Sequence, residues 1–88
     1  MIEIYADYFY NNTLQEEHVY LDEAQIALVS KPIFYEKSSK YRGEYVDTWR
    51  FAIVIAGASH TFSYLNQSDC ETWYKMTKES WMDYLNTP

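Results

Sequence analysis

The first thirty residues contain no lysine and no arginine. The same stretch holds six carboxylates, Glu3, Asp7, Glu16, Glu17, Asp22 and Glu23, and four tyrosines, Tyr5, Tyr8, Tyr10 and Tyr20. Cysteine is also scarce. Cys70 is the only one, so no internal disulfide can form, and the reducing cytoplasm is the expected compartment. Only two glycines are present, Gly43 and Gly57, which excludes a glycine-rich phosphate loop. The longest apolar run, Phe51 to Ala58, includes Gly57 and is too short to cross a bilayer. Met1-Ile2-Glu3-Ile4 shows neither a basic nor an apolar leader pattern, so no signal peptide is expected.

What the chain does have is apolar and aromatic. Hydrophobic residues make up 48% and aromatic residues 19% of its 88 residues, with ten tyrosines. That composition folds rather than staying disordered, and the length predicts a single domain over residues 1–88. A chain of this size buries a little over ~60% of its unfolded surface, enough for one core and little more. Tyrosine suits such a thin core, because its ring packs while its hydroxyl stays wet. The net charge is −6. Phosphate backbones and anionic membranes both select for lysine and arginine, so direct nucleic-acid or membrane binding is not expected. A basic protein partner is compatible with the charge, as is the plain role of keeping a small protein in solution.

Residues 2–10 alternate with period two, Ile2, Ile4, Ala6, Tyr8 and Tyr10 on one face and Glu3, Tyr5, Asp7 and Phe9 on the other. This predicts a strand whose first set faces the core. Asn11-Asn12-Thr13 predicts a turn, and Glu17 to Leu21 a second strand paired as a hairpin. Asp22 with Gln25 reads as the start of a short helix over residues 22–31, stopped by Pro32. A strand is the alternative reading of Ile26 to Val29. Ile33 to Glu36 predicts a short strand and Lys37 to Gly43 a basic loop. Glu44 to Ala56 predicts a central strand, Gly57-Ala58-Ser59 a turn, and His60 to Leu65 a returning strand. Ser68 to Glu71 matches a capping box, opening an amphipathic helix with Cys70, Trp73, Tyr74, Thr77, Trp81, Tyr84 and Leu85 on one face. The predicted class is therefore α+β: an antiparallel sheet of about four or five strands, a short helix after strand 2, and a C-terminal helix packed on one face.

No catalytic signature emerges from this pattern. A nucleophilic site needs a base and an orienting carboxylate in reach of Ser or Cys. Cys70 is the only thiol, and its place on the apolar helix face reads as a small core residue. His18 and His60 lie 42 residues apart with no metal-ligand spacing around them. Catalytic, metal and cofactor-binding residues are not expected, and the chain is read as non-enzymatic. A minor enzyme or metal-binding protein using His18, His60 and Cys70 is the least favoured alternative. Lys37, Lys40 and Arg42 with Tyr35 and Tyr41 form the one basic, aromatic segment; on a chain of net charge −6 it reads as a solvated loop.

The acidic block carries the leading expectation. Glu3 and Asp7 share a strand face ~13 Å apart. DNA presents phosphates every ~3.4 Å per strand, and scattered carboxylates approximate part of that field. The expected partner-binding residues are Glu3, Tyr5, Asp7 and Phe9, with Glu16, Glu17, Asp22 and Glu23 as the charged rim. Aromatic side chains there would act as anchors. In size, charge and aromatic content the chain is similar to small acidic proteins carried by bacteriophages and mobile elements, which inhibit host restriction, CRISPR or transcription proteins. That resemblance implies a DNA-mimic type of inhibitor in the host-cell cytoplasm, occupying a basic nucleic-acid-binding surface of a host protein. The alternative is a small structural or assembly protein that self-associates, for example as a homodimer, through exposed sheet edges.

Overall fold

Three two-residue turns organise the chain, and each has the backbone sign of a type I′ hairpin. Asn11 and Asn12 have φ of 51° and 63°, Arg42 and Gly43 of 53° and 80°, Ala56 and Gly57 of 51° and 80°. Positive φ at both central positions gives a turn whose twist matches that of the flanking strands. The hairpins so formed are β1 (Ile2–Tyr10) with β2 (Thr13–Leu21), β4 (Ile33–Tyr41) with β5 (Glu44–Ile55), and β5 with β6 (Ala58–Tyr64). A fourth short strand in chain order, β3 (Ile26–Val29), precedes β4. The C-terminal helix α1 spans Gln67–Asn86. These elements come from a computed structural model, which describes residues 1–87.

Among the described residues six strands make one antiparallel sheet in the order β2-β1-β6-β5-β3, with β4 also on β5. The long strand β5 pairs with β6 along one edge. Its other edge is shared, with β4 on residues Glu44–Arg50 and β3 on Ile53–Ile55. By contrast, β1 meets β6 at one bridge only, Asp7 to Ser63. The core gathers Ile2, Ile4 and Ala6 of β1, Ile26 and Val29 of β3, Phe51 and Ile53 of β5, Phe62 and Tyr64 of β6, and Cys70 of α1. Each large apolar side chain removed from water contributes roughly 1.5–3 kcal/mol. The helix lies over this cluster, with Cys70 and Thr77 buried and Trp73, Tyr74 and Trp81 half-buried. Tyr84 and Leu85, on the same predicted stripe, are exposed.

The α+β class and the C-terminal helix match the reading of the sequence, but several parts differ. The expected helix over residues 22–31 is one 3-10 turn, Glu23–Gln25, followed by β3. Asp22 does cap, yet it accepts from Ala24 N at 3.0 Å, two residues on, and so closes a turn rather than starting a helix. Ile26 and Val29 are instead buried, and β3 pairs with the end of β5; Ser30 prolongs the contact by bonding both the N–H and the C=O of Ala52. Tertiary pairing here overrides the capping signal. With β3 added, the sheet has six strands rather than four or five.

The basic loop of residues 37–43 is mostly strand. Lys37 adopts φ 44° at a bulge, and its N–H donates to Asp47 Oδ1 at 2.9 Å. Tyr8 and Tyr10 share the face of Ile4 but are 44% and 54% exposed, not core. They lie next to the Asn11-Asn12 turn, beyond the buried Ile2, Ile4 and Ala6, and stack on each other at 6.1 Å. The capping box at Ser68 does not form. Asn66 is the N-cap without a side-chain cap bond, and Glu71 accepts from Gln67 Nε2.

Candidate functional site

The outer face of the β1–β2 hairpin is set by its register. Glu3 lies opposite Tyr20, Tyr5 opposite His18, and Asp7 opposite Glu16. Side chains paired this way stand ~4.5–5.5 Å apart at Cβ, so they interact directly. Tyr5 and His18 stack at 4.0 Å with planes 12° apart, and His18 lies 4.7 Å from Tyr20. His18 Nε2 also meets Glu3 Oε1 at 2.7 Å. On its other side Tyr5 meets Trp73 of α1 at 5.5 Å, tilted by 50°. The result is an aromatic row, Tyr20, His18, Tyr5 and Trp73, crossing from the hairpin to the helix. Partial burial, and the Glu3 carboxylate beside it, raise the Tyr5 hydroxyl above its ordinary pKa.

Where hairpin and helix meet, a cleft of about 410 Å³ opens between Tyr5, Asp7, Glu16, Tyr64, Asp69 and Trp73. Its floor is fixed by two hydrogen bonds. Tyr64 Oη donates to Tyr5 O at 2.7 Å, and Leu65 N–H donates to Asp7 Oδ2 at 2.8 Å. The rim carboxylates Glu16 and Asp69 are exposed, and Asp7 is half-buried. Among the described residues no lysine or arginine forms an ion pair with any carboxylate. The two ion pairs present are Glu3 with His18 and Glu23 with the N-terminal amine at 2.5 Å. No cationic side chain therefore pairs with the cleft carboxylates; Asp7 is met by the Leu65 N–H, and Asp69 by the positive end of α1.

The expected partner-binding residues are distributed unevenly around this site. Tyr5, Asp7 and Glu16 line the cleft, and Glu3 adjoins it through His18. Phe9 lies farther along the hairpin, edge-on to Tyr41 at 6.3 Å. Glu17 points to the opposite face, opposite Ala6, and borders a second cleft of about 450 Å³ with Val19, Leu21, His60 and Phe62. Asp22 holds the 3-10 turn, and Glu23 holds the N-terminal amine. Asp69 and Trp73 join the site although the sequence pattern assigned them to helix capping and core. Their spacing of four residues, which puts both on one helix face, was the available signal.

His18, His60 and Cys70 occupy three separate environments. His18 is in the aromatic row, His60 borders the second cleft, and Cys70 is fully buried. Burial, and then the Glu71 carboxylate, push the Cys70 thiol up to about 12, which leaves it protonated at neutral pH. Among the described residues no group of three or more His, Cys, Asp or Glu side chains is placed to hold a metal ion. No described helix is long and apolar enough to cross a membrane. The chain matches no protein-family model, no curated protein and no solved structure.

Proposed function

We propose that the chain is a non-enzymatic binding protein whose outer β1–β2 face and first turn of α1 receive a basic surface of another protein. One observation carries the reading: Glu3, Asp7, Glu16 and Asp69 surround an aromatic row, and none of them is paired with a lysine or arginine. Carboxylates supply long-range attraction, and aromatic side chains supply contact area once the partner is docked. Surfaces that hold nucleic acid are basic and would fit such an acidic face. The finer form of the proposal is thus an inhibitor of the DNA-mimic type, which occupies a nucleic-acid-binding surface. Affinity capture from a host lysate, followed by binding measurements on the captured partner at low and moderate salt, tests it. Affinity should fall steeply with salt, since surface charges are screened over ~10 Å at 0.1 M. It should also fall by at least tenfold when Glu3→Gln, Glu16→Gln and Asp69→Asn are combined. Undiminished binding by that variant, with its melting temperature unchanged, would sink the reading.

A second reading, self-association, draws on the β4 edge. That strand pairs only with β5 among the described residues, and Ile33, Phe34 and Tyr35 at its start are 55%, 50% and 40% exposed. The bulge at Lys37 bends the same edge, a feature that discourages edge-to-edge pairing. Light scattering across concentration separates the two readings, because a strict monomer excludes assembly through this edge.

A further inference from the structure

We infer that the free edge of β6 receives an extended segment of a partner polypeptide, added to the sheet as a strand, with apolar side chains on one face and a basic residue opposite Glu17. This edge lies on the side of the β1–β2 hairpin away from the acidic row, so the inference does not depend on the reading above. The register of β5 and β6 shows which backbone groups are free. The Ala56-Gly57 turn holds two residues, so the pair that closes it, Ile55 with Ala58, exchanges hydrogen bonds. Bonded and non-bonded pairs alternate from there. Ala58, His60 and Phe62 bond to β5, whereas Ser59 and Thr61 direct their N–H and C=O groups away from it. The other edge of β5 agrees with this alternation. Ala52, opposite Thr61, donates its N–H to Ser30 Oγ at 3.0 Å and accepts from Ser30 N–H at 2.9 Å. Its backbone groups thus turn away from Thr61, and those of Thr61 turn away from it. Among the described residues β1 pairs with the outer edge of β6 only at Ser63. Ser59 and Thr61 therefore have no strand beside them.

Unpaired edges are normally blunted by a lysine, a proline or a bulge. Strand β6, Ala58-Ser59-His60-Thr61-Phe62-Ser63-Tyr64, has neither residue, and its register with β5 runs unbroken. Two donor–acceptor pairs two residues apart, ~6.6 Å, are the repeat that an incoming strand meets. They border the cleft of about 450 Å³ whose other wall is Glu17, Val19 and Leu21 of β2. Val19, Leu21 and Phe62 offer apolar contact to alternate side chains of the added strand. Glu17 is the one carboxylate of this cleft, and neither ion pair among the described residues uses it. It selects a lysine or arginine at one position of the strand. The β2 wall also disfavours a second copy of the chain. That copy would bring its own β2 beside its own β6 edge, and two walls would have to share one groove. The cleft is at the small end of the ~300–1,000 Å³ typical of ligand sites, which suits a short extended segment.

The test is amide NMR of the intact chain titrated with an acetylated, amidated hexapeptide that alternates valine and threonine, one threonine being replaced by lysine. Comparison peptides carry glutamate for that lysine, or a methyl group on every backbone nitrogen. At millimolar concentration the lysine peptide should shift the Ser59 and Thr61 amides saturably and slow their exchange at least fivefold. Exchange at His60, already bonded to β5, should change little. The glutamate peptide should bind at least threefold more weakly, and the methylated peptide should give no saturable shift. Thr61→Pro removes an edge N–H and no ladder bond, a change that edge strands tolerate, and should abolish binding. Glu17→Lys should reverse the preference between the lysine and glutamate peptides, a readout that does not need the proline variant to fold. No saturable shift with the lysine peptide would overturn the proposal, as would equal binding of the methylated peptide or undiminished binding by a folded Thr61→Pro chain. An unreversed preference in Glu17→Lys would overturn the choice of a basic residue. Protection of Ser59 and Thr61 that grows with protein concentration in the absence of peptide would assign the edge to a second copy and also overturn the proposal.

Discussion

Phe51 is the residue on which the core turns. It is 1% exposed, with the rings of Phe62, Tyr74 and Tyr64 at 5.5, 5.9 and 6.0 Å. Its truncation to alanine leaves a cavity under three aromatic neighbours and should cost about 3–5 kcal/mol, measured by urea denaturation. Cys70 and Tyr64 predict a pH dependence. Burial raises both above their ordinary values of 9.0 and 10.0, Cys70 to about 12. A raised folded-state pKa means that the folded chain holds the proton more tightly. The stabilisation is complete below the unfolded pKa and is lost as pH rises through the folded value. Thermal stability should therefore fall from about pH 9 upward, by at most roughly 1.4 kcal/mol per pH unit for each group. Cys70→Ala should flatten the early part of that decline; an unchanged alkaline profile in the variant would remove Cys70 from the explanation. At this scale the core was largely legible, since Ile2, Ile4, Phe51, Ile53, Phe62 and Cys70 all follow from alternation or helical spacing. Tyr8 and Tyr10 were misplaced because period-two alternation reports the face of a strand, not how far along that strand the core extends. Asp69 and Trp73 were separated from Tyr5 and Asp7 by about sixty positions, and only the docking of α1 brings them together.

The turns carry the clearest predictions at the level of elements. Ala56 holds φ 51°, a left-handed conformation that costs an L residue other than glycine or asparagine roughly 1–2 kcal/mol. Ala56→Asn keeps a side chain that tolerates this geometry and should raise stability by about 0.5–1 kcal/mol, read as a higher melting temperature. Asn12 does two jobs at once. It adopts φ 63°, and it ties one hairpin tip to another, its C=O accepting from Arg42 N at 3.2 Å and its Oδ1 from Gly43 N at 2.7 Å. Asn12→Gly retains the turn and loses the side-chain bond, whereas Asn12→Ala also incurs the left-handed strain. The alanine variant should be the less stable by about 1 kcal/mol; equality would mean that the turn geometry contributes little. The β1–β2 turn was legible because asparagine marks positive φ locally, but the β4–β5 turn is Arg42-Gly43 rather than a loop over residues 37–43, and the β5–β6 turn is Ala56-Gly57 rather than Gly57-Ala58-Ser59, since neither arginine nor alanine signals a left-handed position. The segment from Asp22 to Val29 was not, because its capping residue serves a helix start and a tight turn equally well. Its fate is decided by the edge of β5, which is remote in sequence.

As a whole the molecule is elongated, 50 × 20 × 20 Å, with a radius of gyration of 13.7 Å against about 12 Å for a compact chain of this length. The helix and core sit toward one end, and the tips of the β1–β2 and β4–β5 hairpins extend together at the other, held by Asn12. Small-angle scattering should report the elongated form, and deletion of the Asn12 side chain should broaden the distance distribution at its long end. The sheet itself is unevenly joined, because β1 and β6 share one bridge. Asp7 supplies both that bridge and the carboxylate that accepts from Leu65 N–H. Along the β1–β6 seam that bridge is joined by the Asp7–Leu65 and Tyr64–Tyr5 hydrogen bonds, and Asp7 is also a wall of the acidic cleft. A basic group of a partner docked as proposed would meet a side chain that also helps to hold the seam. Occupancy of the cleft should therefore be felt as a stiffening along the seam, with slower amide exchange in β1 and β6, and a chain with Asp7→Ala should breathe there whether or not the cleft is filled.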